Sequence, residues 1–382
     1  MVRIAHIGLA SYFTENMAYQ DNQLSHQNAV DGHDVLFVSN ASKYVDGKIV
    51  DTGYEDFRLE DGVRLVRMPY RNILNKSISI KIRAVRGLYD LLDEFRPDVI
   101  LFHGLACWSV LDVIRYKKRH PDVKFYADTH TSTYNSGRNW VSLHIMHRIF
   151  YRWLIRCAMP YLEKYFYVGA SEREFSREHY DVPAEKMEFF PLGGNPPEAE
   201  TAAHHRAKCR QMLAMADGEL LLVHSGKLDA LKRTKELLEA FAAVPELKAR
   251  LAVIGDIPET EKQNLLQLME ADSRVAYLGW KTSTELLEYL CACDLYCQPG
   301  SVSATLQNAV CCGCPVMAYP HLSYTEELDY GNILWVKTQA DMETVFRDLA
   351  AGKVAPDALR EGSRRCAREL LDYRTLAARL YR

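Results

Sequence analysis

Two lysines in the second half of the chain have a spacing suited to an anionic ligand. Lys227 and Lys232 lie five positions apart within residues 224–233, and Gly226 before them lets the backbone approach a ligand closely. Charge-assisted hydrogen bonds from such groups contribute about 1.5–3 kcal/mol each. A solvated basic turn before a helix would have the same composition, so the residues alone leave both interpretations open.

The elements that must position this loop alternate between short apolar runs and helical stretches. In the first half, strands are predicted at residues 35–38, 99–102, 124–127 and 165–168, and a helix at 80–95. In the second half, strands are predicted at residues 220–224, 250–254, 275–278, 295–297 and 315–318, and helices at 236–244, 260–270 and 283–292. This order predicts an α/β fold of doubly wound parallel sheets, which bind ligands at the carboxyl ends of their strands.

A break in the pattern at residues 193–197, which contain two glycines and two prolines, predicts a domain boundary. We therefore expect a first Rossmann-like domain at 1–195 and a second at 196–365, facing one another across a cleft. Residues 366–382 are helical by pattern, and this helix either completes the second domain or packs back on the first.

Composition and charge exclude several classes of protein. A formal net charge of −3 gives no global attraction for nucleic acid. The longest apolar stretch, 140–159, contains three arginines, which argues against a membrane span, and residues 1–8 do not resemble a signal peptide. The ten cysteines do not include two C-x-x-C pairs, so reduced thiols are predicted and not a zinc site. No two aspartates are two positions apart to hold magnesium. We expect a cytoplasmic protein without metal or cofactor.

Residues 226–233 resemble the G-R-L-x-x-x-K-G segment of family 4 retaining glycosyltransferases, which have the GT-B fold. Lys227 occupies the arginine position, Lys232 the lysine position and Arg233 the position of the final glycine. In that family the basic pair clamps the diphosphate of a nucleotide-sugar donor. Further elements resemble the family in the same order along the chain, at residues 31–35, 97–104, 168–171, 190–194, 251–256 and 311–316.

The loop at 128–133 is similar to the t-x-H-T-S-T loop of the phosphatidylinositol mannosyltransferase branch. The histidine of that loop lies against the donor sugar, so the resemblance implies a catalytic role for His130; a structural histidine is the alternative. Residues 19–22 resemble a Y-Q-E-N element, which implies that Tyr19, Gln20 and Asp21 face the acceptor side, although Asp21 could simply cap a helix. His103 is expected to support the same region.

The clearest departure from the family lies at residues 299–308, which lack its two glutamates. Asn308 occupies the position of the second glutamate, so Gln307 or Asn308 is expected to bond the ribose. The remaining residues expected to bind the donor nucleotide or sugar are Gly255, Ser301, Ser303, Ala304 and Thr305. The nucleotide base and the sugar stay open, with a UDP-sugar preferred.

His144, Arg148, Arg152 and Arg156 recur every four residues and predict a basic helix face. The apolar side is predicted to contain Ile145, Ile149, Phe150, Trp153 and Leu154. A helix packed on its own domain with arginines in water is the favoured interpretation, and peripheral membrane contact is the alternative.

Together these patterns predict a metal-independent, retaining hexosyltransferase that uses a nucleotide-diphosphate sugar in polysaccharide or glycolipid assembly. Its acceptor would be a glycan or a lipid-linked molecule. Two alternatives stay open: a GT-B-like sugar-nucleotide epimerase, and an inactive nucleotide-sugar-binding scaffold.

Overall fold

The computed structural model describes residues 1–382 except Asn16, Ala18, residues 46–47, Val302 and residues 321–325. The chain divides into two compact units. The first contains Met1–Pro191 together with Tyr373–Arg382, and the second contains Leu192–Asp372. The division after Pro191 lies slightly before the predicted boundary at residue 195.

The first unit is built on one large, mostly parallel sheet. Its strands are β1 (Arg3–Gly8), β2 (Asp34–Asn40), β3 (Ser42–Val45), β4 (Lys48–Asp51), β5 (Glu55–Arg58), β6 (Arg64–Met68), β7 (Val99–His103), β8 (Lys124–Thr129), β9 (Lys164–Tyr167) and β10 (Met187–Phe189). Its helices are α1 (Gln20–Val30), α2 (Lys76–Ile82), α3 (Leu88–Phe95), α4 (Val110–Arg119), a π-helix (Val141–Tyr151) continuing into α5 (Arg152–Ala158), and α6 (Ala170–Tyr180). The strand order is β10-β9-β8-β7-β1-β2-β6-β5, with only β5 antiparallel to its neighbour, and β3 and β4 form a separate hairpin.

Side chains of the central strands point alternately to the two faces of this sheet and form a hydrophobic core on each face. In β1, Ala5 and Ile7 pack into one core with residues of β2, β7 and β8, whereas Ile4 packs into the other core with Leu101. Helix α3 covers the first face with the row Leu88, Leu91, Leu92 and Phe95. Helices on both faces are therefore required to bury strands that are apolar on both sides.

The second unit repeats the plan with six parallel strands. They are β11 (Leu220–Lys227), β12 (Ala249–Asp256), β13 (Val275–Tyr277), β14 (Leu295–Gln298), β15 (Val316–Ala318) and β16 (Ile333–Trp335), in the order β13-β12-β11-β14-β15-β16. The helices are α7 (Ala199–Met212), α8 (Thr234–Ala242), α9 (Glu259–Ala271), α10 (Ser283–Ala292), α11 (Thr305–Cys311), α12 (Gln339–Ala350), α13 (Pro356–Cys366) and a short π turn (Ala367–Leu371). Capping boxes at Thr282 and Thr338 start α10 and α12.

The segment predicted as one terminal helix is divided between the two units. Residues up to Asp372 stay with the second unit, and α14 (Tyr373–Ala378) belongs to the first. Tyr373, Leu376 and Leu380 complete the second core of the first unit, where they pack with Ile4 and Leu24.

The single helix predicted at residues 80–95 is wrong in its continuity. Arg83 and Gly87 both have positive φ angles, 57° and 82°, and they separate α2 from α3. The intervening loop is held by tertiary hydrogen bonds that the sequence pattern does not reveal. The Arg83 guanidinium donates to the Ala106 carbonyl at 2.8 Å, and the Val85 N–H donates to the Ser109 hydroxyl at 2.9 Å.

Candidate functional site

Three glycines come together at the carboxyl edge of the second sheet. Gly226 of β11 lies opposite Gly255 of β12, and their φ angles are 134° and 146°. A Cβ on Gly255 would lie 1.8 Å from the carbonyl oxygen of Gly226, and a Cβ on Gly300 would lie 2.2 Å from that of Leu231. Because only glycine fits these contacts, the end of β12 can approach that of β11, and the residues after β14 can approach the short 3₁₀ turn Ala230–Lys232.

The ammonium group of Lys232 lies beside Gly226 at this edge of the sheet. The residue is 6% exposed, and a Cβ on Gly226 would lie 3.0 Å from its Cε. Its Nζ donates to the carbonyl oxygen of Ser301 at 3.2 Å, and no carboxylate of the described residues lies within ion-pairing distance. Burial lowers the pKa of Lys232, and nearby Asp229 opposes this only in part. A buried cation held by one carbonyl is costly to the free chain and suited to an anionic ligand.

A buried histidine fixes the strand that leads into this loop. His224 Nδ1 lies 2.8 Å from the carbonyl oxygen of Cys297, and its Nε2 lies 2.9 Å from the hydroxyl of Thr234. Burial, with a smaller effect of the Lys232 charge, lowers the pKa of His224 to about 4, so the ring is neutral near pH 7. The neutral ring donates from Nδ1 and accepts at Nε2, which ties β11 to β14 and to the start of α8.

The other two basic residues of the predicted clamp differ from Lys232 in their surroundings. Lys227 ends β11 and is exposed. Arg233 has a φ of 56°, which explains why the family pattern has glycine at this position. Its guanidinium donates to the carbonyl oxygens of Pro299 and Lys337, at 3.3 and 3.0 Å, and pairs with Glu236. The part of Arg233 in diphosphate binding stays a prediction.

The residues predicted to meet the donor after β14 lie around the start of α11. Ser301 contacts the lysine turn twice, because its N–H donates to the Leu231 carbonyl at 2.8 Å and its carbonyl accepts from Lys232. The Ser303 hydroxyl accepts from the N–H of Thr305 at 3.2 Å, and Ala304 next to it is exposed. These contacts order the loop against the turn that holds Lys232.

The two amides predicted to bond a ribose lie on different sides of α11. Gln307 is buried, and its Oε1 has no hydrogen-bond partner among the described residues. Asn308 is exposed, and a Cβ on Gly194 would lie 3.2 Å from its Oδ1. Their assignment to the ribose stays a prediction.

In the first unit, three titratable side chains meet at the carboxyl edge of the sheet. His103 ends β7 and lies opposite Asp128 of β8, with 2.6 Å between His103 Nδ1 and Asp128 Oδ2. Asp21 of α1 approaches the same Nδ1 at 3.4 Å. Burial alone would lower the pKa of His103, but the two carboxylates raise it to about 9. Burial alone would raise the pKa of Asp128, but the charge of His103 and the hydrogen bond from it hold that pKa below its usual value.

A chain of hydrogen bonds continues from His103 into the core. His103 Nε2 lies 3.1 Å from His6 Nδ1, and His6 Nε2 lies 2.9 Å from the Oδ1 of Asn28. The Asn28 oxygen accepts, so His6 must donate from Nε2 and accept at Nδ1. Burial and the neighbouring charge of His103 lower the pKa of His6 to about 3. The result is one neutral and one protonated imidazole, with His103 donating from both ring nitrogens.

These groups are also the one cluster of metal-type ligands found among the described residues. Donor atoms of Asp21, His103 and Asp128 lie within 4.8 Å of one another. Their arrangement already has a cation at its centre, since His103 is protonated between two carboxylates. A metal ion would have to displace that proton, so the geometry fits an ion pair better than a metal site.

His130 directly follows β8 and is half-buried. Its Nε2 is buried and has no hydrogen-bond partner among the described residues, while its backbone carbonyl accepts from the amide of Asn135 at 2.6 Å. Tyr19 is exposed before α1, whereas Gln20 is buried and donates to the Pro191 carbonyl at 2.8 Å. Of the residues predicted for the acceptor side, the structure therefore brings together Asp21 and His103.

Several residues of these two edges were missed by the sequence analysis. Gly300, His224, Asp128, His6 and Asn28 were not proposed as site residues. A polar residue in the middle of an apolar strand, as His6 and His224 are, is a usable signal because such a side chain needs a buried partner.

The basic helix has a different apolar face from the predicted one. Leu154 is buried and Phe150 partly so, but Ile145, Ile149 and Trp153 are exposed. The reason is that Val141–Tyr151 is π-helical, so the helix faces shift from those expected for 3.6 residues per turn. Among its basic residues, Arg152 and Arg156 both contact Asp181, and Arg148 Nε donates to His179 at 3.3 Å.

None of the helices in the described part of the chain is both long and apolar enough to cross a bilayer.

Two protein-family profiles match consecutive parts of the chain. The family described as "Glycosyltransferase Family 4" matches residues 22–196, and "Glycosyl transferases group 1" matches residues 206–350. None of the curated protein sequences matches the chain.

Solved glycosyltransferase structures share the fold over nearly the full length. HepE of Anabaena, in complex with UDP and glucose, is 13% identical, with 99% of this chain and 98% of that chain covered and a TM-score of 0.60. Sucrose-phosphate synthase of Thermosynechococcus elongatus is 16% identical, with 99% and 97% covered and a TM-score of 0.64. WaaG, a glycosyltransferase involved in lipopolysaccharide biosynthesis, is 16% identical, with 98% of each chain covered and a TM-score of 0.59.

Proposed function

Because this chain is a GT-B glycosyltransferase of the family 4 type, we propose that it transfers a hexose from a UDP-sugar to a glycan or lipid-linked acceptor. The choice of UDP is supported by HepE, which has the same fold and was solved with UDP and with UDP-glucose. The lipid-linked class of acceptor is supported by WaaG, whose role is in lipopolysaccharide biosynthesis.

The observation that carries the proposal is the buried ammonium group of Lys232. The residue is held between Gly226 and Gly300 and neutralised by no carboxylate of the described residues. The free chain therefore bears the cost of a buried charge, which a diphosphate at the same loop would offset. Lys227, exposed at the end of β11, would supply a second charge to the same ligand.

In the proposed reaction, the bond between the sugar C1 and the diphosphate oxygen breaks as the oxygen of an acceptor hydroxyl bonds to C1, and the hydroxyl proton passes to the departing diphosphate. Negative charge then accumulates on the departing diphosphate, where Lys232 and Lys227 would stabilise it without a metal ion. His130, with an unbonded buried Nε2, would position the donor sugar. We propose retention of configuration on the resemblance to family 4.

Peripheral contact with an anionic membrane is part of this proposal, since a lipid-linked acceptor resides there. Trp140, Ile149 and Trp153 are 67%, 64% and 46% exposed along one stretch of helix. The Trp153 ring also packs against that of exposed Trp108, with 5.9 Å between centroids. Tryptophans flanked by arginines are typical of surfaces that lie in the membrane interface.

Vesicle sedimentation tests the membrane contact. The chain is expected to sediment with vesicles containing anionic lipid at low salt, and the Ile149→Ser/Trp153→Ser variant is expected to stay in the supernatant. Trp280→Ser, which removes a still more exposed tryptophan from the second unit, is the control. Equal sedimentation of the two variants would refute the membrane contact, and so would an unmodified chain that does not sediment with the vesicles.

The transferase proposal is tested by ligand binding and by product analysis. In a thermal-shift panel of UDP, GDP and ADP, a ligand at a hundredfold its Kd stabilises by about 2.7 kcal/mol, which raises the Tm of one unit by about 5–10 °C. UDP is expected to give the largest shift. UDP-glucose should then release UDP in the presence of a glycan acceptor mixture. Turnover of the donor to an epimer without acceptor would indicate the epimerase, and binding without turnover the inactive scaffold.

A further inference from the structure

A cavity of about 930 Å³ lies within the second unit, away from the loops that carry Lys232. Its wall includes Cys291, which precedes β14, and Gly313, which precedes β15. These residues are at the amino ends of the strands, whereas Gly226, Gly255 and Gly300 are at the carboxyl ends. A ligand in this cavity would therefore not overlap with one bound at Lys232. The volume is within the range of small-molecule sites, about 300–1,000 Å³.

The cavity wall carries a large excess of positive charge. The wall is lined by Arg206 of α7, Arg360 and Arg364 of α13, and Arg368 of the following π turn, and Asp357 is the one carboxylate among the described lining residues. The three arginines after residue 359 are spaced four positions apart on one helical face. Like charges at this spacing repel one another and destabilise a helix, so the row needs anionic partners, from the fold or from a ligand.

Two of these arginines are fixed by a buried carboxylate behind the wall. Asp294 accepts from Arg360 and, at 2.7 Å, from Arg206. The same carboxylate also pairs with Arg210 at 3.5 Å and accepts the Leu221 N–H at 2.8 Å. Asp357 pairs with Arg360 as well, at 3.0 Å, so two carboxylates serve three guanidinium groups and orient them without neutralising all of them.

The other two arginines are exposed to the cavity. Arg364 packs its stem at Gly313, where a Cβ would lie 3.3 Å from its Cγ, and it has no ion pair with the described residues. Arg368 is paired with Glu361 at 3.2 Å on the surface. The floor between them and α7 is small and apolar, because it is formed by Ala199, Ala202 and Ala203.

We propose that this cavity is a second ligand site, which binds a small phosphorylated metabolite through Arg206, Arg364 and Arg368. Guanidinium groups match phosphate oxygens in bidentate geometry, and several of them converge here. No aromatic side chain occurs among the described lining residues, so a nucleotide base would have nothing to stack on. A sugar phosphate or pyrophosphate fits the wall better than a nucleotide.

Calorimetric titration of the full chain tests this site. Inorganic phosphate, pyrophosphate and hexose 6-phosphate are titrated in saturating UDP, and again into the Lys232→Met variant, so that the donor loops are blocked in two independent ways. Saturable binding of pyrophosphate or hexose 6-phosphate is expected in both backgrounds. Phosphate binding as tightly as hexose 6-phosphate would identify the anion alone as the ligand; tighter binding of the sugar phosphate would identify the phosphosugar.

The variant Arg364→Gln/Arg368→Gln is expected to weaken this binding at least about tenfold, the loss of one or two charge-assisted hydrogen bonds. Arg347→Gln/Lys353→Gln removes the same charge from exposed positions of α12 and the residues after it, and is expected to leave the Kd unchanged. Circular dichroism verifies that both variants are folded. The proposal is overturned by the absence of saturable binding, by unchanged binding in the first variant, or by equal weakening in both.

Discussion

The buried pair of His103 and Asp128 makes the stability of the first unit depend on pH. In the folded chain the pKa of His103 is raised to about 9 from its ordinary 6.5. The protonated form therefore stabilises the fold fully below pH 6.5, and this contribution is lost as the pH rises through 9. The shift corresponds to about 3 kcal/mol of unfolding free energy, lost at about 1.4 kcal/mol per pH unit.

Substitutions at the pair give this dependence a specific signature. His103→Gln leaves the fully buried carboxylate of Asp128 without its cation, which costs about 3–5 kcal/mol near pH 7. The double variant His103→Gln/Asp128→Asn removes both charges and is expected to cost less than His103→Gln alone. The double variant's change in unfolding free energy, minus the sum of the changes for His103→Gln and Asp128→Asn alone, measures the coupling energy of the pair.

Urea unfolding between pH 6.5 and 9.5, followed by tryptophan fluorescence, measures the effect. The unmodified chain should lose about 3 kcal/mol more than the double variant over this range. His120→Gln removes a partly exposed histidine that pairs with Asp93 at 3.6 Å, and it should keep the pH dependence of the unmodified chain. An equal loss of stability in the double variant would show that His103 is not protonated in the folded state.

Other predictions concern the second unit. Gly255→Ala places a methyl group 1.8 Å from the Gly226 carbonyl oxygen at a φ of 146°. This variant should therefore destabilise the second unit by more than about 2 kcal/mol and weaken UDP binding. A thermal melt equal to that of the unmodified chain would contradict the geometry. Folding lowers the pKa of His224 from 6.5 to about 4. The free energy of unfolding should therefore fall by about 3 kcal/mol as the pH falls from 6.5 to 4. His224→Asn should flatten this acid dependence in urea titrations, and an unchanged acid slope would exclude His224 as its source.

The sequence predicted the alternation of strands and helices because buried parallel strands have continuous apolar runs, such as residues 99–102 in β7. The prediction of one continuous helix failed at residues 83–87 because hydrogen bonds to Ala106 and Ser109, which are distant in the chain, override local helix propensity. It also misplaced the exposed face of residues 141–151, since nothing in the composition distinguishes a π-helix from an α-helix.

The candidate site was only partly predictable for a similar reason. Lys232 and Gly226 were found because their spacing in one loop resembles a known segment. The contacts that make Lys232 unusual come from Gly300 and Ser301, which are far from it in sequence. The pairing of His103 with Asp128 likewise depends on strand register, which a single sequence does not specify.

Binding of UDP to the Lys232→Met variant tests the central claim most directly. Methionine retains an apolar stem against Gly226 while it removes the buried charge, so the free variant should be at least as stable as the unmodified chain. Calorimetry should show UDP binding weakened by about 10- to 150-fold, the loss of a charge-assisted hydrogen bond of about 1.5–3 kcal/mol. Lys235→Met, on the exposed side of the same segment, should bind UDP like the unmodified chain. A folded Lys232→Met protein with an unchanged Kd for UDP would contradict the account.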